Sequence, residues 1–142
     1  MEKLEMLKMF LESKPKSELT LTDKRLFENN TKNDILQDIV GKHIEQIEYH
    51  KNIFLGESVK KGNGILYYES TEDGSFIFTE EVFEEFVNER LSYTIEYLTN
   101  KLVNGTVSVN STCPFTNLVN QWRIEVYQDV IRTYKIFLVY NG

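Results

Sequence analysis

No alanine occurs anywhere in the 142 residues, and there are only two prolines, two histidines and one cysteine. Each scarcity excludes something. Without alanine the chain forgoes the strongest helix former, so any helix must be held by packing of an apolar face rather than by propensity. A lone Cys113 excludes an intrachain disulfide and a cysteine-only zinc site. His43 and His50 stand roughly 10.5 Å apart along the axis of one helix, too far to share a metal ion. Neither a metal centre nor a cofactor is therefore expected. No apolar run approaches the roughly 20 residues of a membrane-spanning helix. The opening Met1-Glu2-Lys3-Leu4-Glu5 lacks the apolar core of a signal peptide, so the expectation is a cytoplasmic protein with no membrane partner. Excess positive charge is missing too, since the net charge is −6, which argues against nucleic acid as a ligand.

What is present describes one ordinary domain. Hydrophobic residues make up 41% and charged residues 27% of the chain, outside the composition of disordered segments. Residues 1–142 are read as a single globular unit, long enough to bury a real core.

Leu4, Leu7 and Leu11 recur at helical spacing and predict a short helix that ends near Glu12, before Pro15. Thr22 fits the N-cap of a second short helix over Asp23 to Asn29. Ile35, Leu36, Ile39, Val40, His43, Ile44 and Ile47 share one side of a wheel and predict a helix over about 34–54, capped by Asn33 and stopped by Gly56, with Gly41 on its solvated face. The aromatic and β-branched runs Ile65–Glu69 and Ser75–Thr79 flank Glu72-Asp73-Gly74 and predict a β-hairpin. Thr79 then caps a long helix over 80–103, and Thr106–Val109 offers a further short strand. From Pro114 on, Asn117, Gln121, Glu125, Gln128, Arg132 and Lys135 form a polar stripe every three or four residues, which predicts a helix over about 115–138. The expected fold is mainly α with a small β-hairpin. The alternative is α+β, with Trp122–Tyr140 forming a C-terminal hairpin that joins the sheet.

Few residues point to catalysis. Gly62-Asn63-Gly64 precedes a strand and lacks the lysine and hydroxyl residue of a phosphate-binding loop. Cys113 carries no family signature and reads as a buried structural thiol. His43 falls inside an apolar arc and reads as a hydrogen-bonded core histidine. Arg90 sits on the inward arc of the long helix among Phe83, Phe86, Thr94 and Tyr97, where a guanidinium must be paired, stacked or snorkelling. His43 and Arg90 are the two expected buried polar groups.

Charge carries the sharpest signal. Residues 1–61 are balanced, whereas residues 62–100 hold nine carboxylates against Arg90 alone, a net charge of −8. The helix dipole accounts for Glu80 and Glu81 in a first turn, but its influence fades beyond it. Glu81, Glu85 and Glu89 follow at four-residue intervals, with Glu96 further along and no lysine on the stripe. Each like-charge neighbour costs about 0.2–0.5 kcal/mol, so the stripe works against the helix that carries it. Such a surface suits a basic protein partner. The expected partner-binding residues are Glu81, Glu85, Glu89 and Glu96, with Glu72 and Asp73 at the hairpin tip and Tyr67, Tyr68 and Tyr93 as aromatic anchors.

Small, acidic, compositionally biased and without a catalytic motif, the chain resembles bacterial toxin-immunity proteins as a profile. That resemblance implies a non-catalytic inhibitor of a basic toxin domain such as a nuclease, and it transfers no residue roles. The alternative is a small enzyme or ligand-binding domain built on a pocket around Arg90 and His43 with a tyrosine such as Tyr97.

Overall fold

The computed structural model describes residues 2–13, 23–62, 65–68, 74–105 and 107–140. It is mainly helical, with one small antiparallel sheet. Helix α1 spans Lys3–Glu12 and buries Leu4, Leu7 and Phe10. Ser13 closes it, its amide donating to Met9 O and its hydroxyl to Phe10 O, which satisfies carbonyls the helix end leaves open.

The second and third helices are continuous rather than separate. Helix α2, Asp23–Leu36, passes through a π turn, Gln37–Gly41, into α3, Lys42–Phe54. The polar stretch Asn29–Asn33 reads as a break by propensity, yet Lys32 bridges Glu28 at 3.0 Å and Glu125 at 2.7 Å. Packing of α2 on the last helix thus overrides local preference. In the π turn the amide of Lys42 reaches back to Gln37 O. Gly41 is buried there, contrary to the solvated position expected, with the Gln37 side chain lying where a Cβ would stand.

Leu55 and Gly56 end α3, Gly56 adopting φ of 85°, a left-handed conformation that favours glycine at a helix exit. Among the described residues three strands follow: β1, Ser58–Gly62; β2, Ile65–Tyr68; and β3, Phe76–Ile77. Strand β1 lies in the middle, antiparallel to both neighbours, with Val59 opposite Tyr68 on one side and Phe76 on the other. The expected hairpin between 65–69 and 75–79 is corrected on this point: those strands form opposite edges of β1, and the hairpin is β1 with β2. Strand β1 carries one buried side chain, Val59 at 0% exposure, beside two lysines, a composition that reads as a linker.

Thr79 caps α4, Glu80–Val103, accepting from the amide of Val82 at 3.2 Å. Residues 107–113 form no strand. Pro114 opens α5, Pro114–Val139, a single helix, so the C-terminal alternative of two strands does not occur. One continuous apolar core joins Leu7, Val40, Ile47, Val59, Phe78, Phe83, Leu91 and Val130. Among the described residues no helix is long and apolar enough to cross a membrane.

Candidate partner-binding face on the fourth helix

Helix α4 divides sharply into two sides. Phe83, Phe86, Val87, Leu91, Thr94 and Leu98 are buried, while Glu81, Glu85, Glu89 and Glu96 are all exposed. The spacing of the apolar residues fixes this orientation, since turning α4 to shield its carboxylates would expose the core side. Tyr93 is 64% and Tyr97 48% exposed, and their rings stack with centroids 6.3 Å apart at 12°. Tyr97 therefore stands outside the apolar arc where its position on the wheel placed it. One turn on, the ammonium of Lys101 lies 4.9 Å from the Tyr97 ring centre, a cation on an exposed aromatic face.

The carboxylates are not wholly uncompensated within the chain. Lys61 reaches across from β1 to pair with Glu89, a contact invisible in a search along the helix alone. Between the sheet and α4 runs a groove of about 250 Å³. Phe78, Phe86 and Leu66 form its buried base, Phe76 and Val82 its flanks, and Lys61, Glu85 and Glu89 its charged rim. Glu84, on the other flank of the helix, is partly buried, and burial pushes its carboxyl above the usual range.

The remaining expected residues fall as follows. Tyr67 and Tyr68 belong to β2, but their side chains, and the whole of Glu72 and Asp73, lie outside the described residues. His43 spans three helices. Its Nδ1 lies 3.1 Å from the Tyr134 hydroxyl and its Nε2 3.1 Å from Thr94 Oγ1. Thr94 donates its own proton to Arg90 O at 2.9 Å, so it accepts from His43 Nε2–H, which leaves Nδ1 to accept from Tyr134. Burial and the neighbouring Arg90 charge lower the histidine pKa to about 4, and burial pushes the Tyr134 phenol well up. The Arg90 guanidinium lies 5.1 Å from the Phe86 ring centre. Cys113 is exposed at the start of α5, not buried as expected. Hydrogen bonds from Thr116, backbone and side chain, and from the Phe115 amide hold its thiol below the ordinary range, as helix N-termini do.

A second, more polar cleft of about 520 Å³ separates α2 from α5, lined by Asn29, Asn33, Lys32, Glu125, Asp129 and Arg132 above Leu36 and Val126. Its charges are paired internally. Lys32 holds Glu125, whose carboxyl is pulled below its usual range by that bond, and Arg132 holds Asp129 at 2.8 Å. Among the described residues no cluster of three histidine, cysteine or acidic side chains is placed to hold a metal. Comparison with family models, curated proteins and solved structures finds no match.

Proposed function

We propose that this chain is a non-catalytic protein that binds a basic protein partner through the exposed side of α4, and that its partner is a cognate toxin domain such as a nuclease, which it neutralises as an immunity protein. The observation that carries the reading is the segregation of charge. A net −8 lies within residues 62–100, and four of those carboxylates, Glu81, Glu85, Glu89 and Glu96, stand exposed along one face of α4 beside two exposed tyrosines. An ordinary solvated helix face mixes signs, because unmixed charge opposes folding. Complementary charge across an interface accelerates encounter and rejects wrong partners, while exposed tyrosines supply contact area at low entropic cost.

The geometry of the polar groups supports this reading over the enzyme alternative. His43 and Arg90 are neighbours, but both ring nitrogens of His43 are engaged by Tyr134 and Thr94. Neither cleft described above is lined by them, and Tyr97 faces away with Tyr93.

The test is capture of partners from the source organism, then association kinetics of the variant carrying Glu81→Gln, Glu85→Gln, Glu89→Gln and Glu96→Gln together. Association should slow several-fold at low salt and converge with the parent as salt screens the charges, while folding stability stays level or rises. A partner whose association rate and affinity are unchanged in that variant removes the acidic face from the mechanism.

A further inference from the structure

We infer that the groove between the sheet and α4 is the anchor pocket of that acidic face, and that it takes one arginine side chain of a basic protein partner. The inference rests on the binding reading above and adds where on the face the partner is gripped. Size comes first. At about 250 Å³ the groove lies below the roughly 300–1,000 Å³ of pockets that enclose small-molecule ligands and cofactors. A single side chain, the usual anchor of a protein interface, fits that space.

The lining then selects the side chain. A base of Phe78, Phe86 and Leu66 under a rim that includes Glu85 and Glu89 complements a group that is apolar along its stem and cationic at its tip. An aliphatic or aromatic anchor leaves both carboxylates facing apolar surface, and an acidic one is repelled. Glu85 and Glu89 are one helical turn apart, so their carboxylates present two acceptors side by side at the mouth. A guanidinium fork meets two acceptors at once, is less strongly hydrated than an ammonium, and stacks on aromatic rings. Arg90 on the Phe86 ring is such a stacked pair within the chain.

The rim already holds a cation of the chain's own. Lys61 pairs with Glu89 while both side chains remain well exposed, 37% and 57%, and exposed pairs of this kind contribute little and exchange readily. Glu85 has no ionic partner among the described residues. A partner arginine therefore has one free carboxylate to bind and one to win from Lys61.

The experiment titrates the ¹⁵N-labelled full chain with a capped Gly-Arg-Gly peptide, and with its lysine and citrulline counterparts, following amide shifts. The arginine peptide should give saturable shifts at Phe76, Val82, Glu85 and Phe86, the lysine peptide weaker ones and the uncharged citrulline peptide none. Lys61→Met removes the competing cation and should tighten binding roughly two- to fivefold. Lys42→Met makes the same change of net charge at an exposed residue outside the groove and should leave affinity unaltered. Glu85→Gln should weaken binding by a similar factor, with a dispersed spectrum showing that the variant is folded.

Equal shifts from citrulline, equal effects of the two lysine variants, or no saturable shift at tens of millimolar peptide each overturn the pocket. Shifts confined to Tyr93 and Glu96 overturn it too, but they leave the acidic face standing as a binding surface. The wider reading falls separately, on unchanged association of the fourfold glutamine variant.

Discussion

Acidification should weaken this fold through His43, by an amount the structure allows to be worked out. In the native state the ring is neutral, donating from Nε2 to Thr94 and accepting at Nδ1 from Tyr134. A proton added at Nδ1 removes the acceptor that Tyr134 needs and places a cation near Arg90, without a carboxylate among its named partners to compensate. Burial, which disfavours the charged ring, and to a lesser degree the Arg90 charge hold the native pKa at about 4 against an ordinary 6.5. The group is depressed on folding, so below about pH 6.5 the unfolded chain binds a proton that the native chain does not. Stability is then lost as pH falls from 6.5 to about 4 and levels off below, the difference in pKa being worth at most roughly 3 kcal/mol. Urea unfolding at half-unit intervals from pH 7.5 to 4 measures the loss. His43→Leu supplies the contrast. It should be less stable by about 1–3 kcal/mol at pH 7, because the buried Tyr134 hydroxyl loses its acceptor, and its deficit should shrink toward pH 4. Parallel stability curves for parent and variant, or a folded-state His43 titration near 6.5 or above, would refute the assignment of the network.

Other substitutions probe the remaining structural assignments. Arg90→Ala should destabilise by about 1 kcal/mol through loss of its stacking and stem contact on Phe86, whereas Arg90→Met, which keeps the packing, should cost less; denaturant midpoints decide it. Val59→Thr keeps the shape of the central strand residue but buries a hydroxyl, and should cost about 1–3 kcal/mol in the same assay. Cys113 should react with a disulfide reagent at neutral pH faster than a free cysteine, and Thr116→Val should slow it by removing a hydrogen bond that holds the thiolate.

How far the sequence discloses such features depends on the range of the interactions that create them. Helices α4 and α5 were legible almost to the residue because their apolar arcs repeat over 24 and 26 residues, long enough for period to outweigh single anomalies. Strand β1 was not, since its place in the sheet depends on one buried valine and on two partners elsewhere in the chain. The break expected near Asn33 is absent because Lys32 reaches a carboxylate on α5, a partner far along the chain. The same division runs through the site. That Glu81, Glu85, Glu89 and Glu96 face solvent follows from the helix period, but the Lys61–Glu89 pair and the groove beneath it exist only once the sheet packs on α4. Cys113 was misplaced because cysteines are generally buried, although Pro114 in a first helical turn already set it at the start of a helix.

The two sides of α4 are energetically independent enough for one to serve recognition at the expense of stability. Its buried side contributes four residues with no exposure or nearly none, Phe83, Val87, Leu91 and Leu98, and fully burying each such side chain stabilises by about 1.5–3 kcal/mol. The exposed carboxylates oppose this by only a few tenths of a kcal/mol per neighbouring pair. Because the favourable contribution is several times the unfavourable one, the helix forms regardless of what its outer face carries, and that face is free to hold unmixed charge. The Thr79 cap and the dipole at Glu80 and Glu81 secure the end nearest the groove, where a partner would load the helix. Because α4 is packed on the core through its apolar side, the backbone that carries the acidic surface is preorganised, and association need not spend binding energy on forming it. On this account the fourfold glutamine variant should lose association rate without losing helix content, since the forces that hold α4 and the charges proposed to attract a basic partner reside on opposite sides of it.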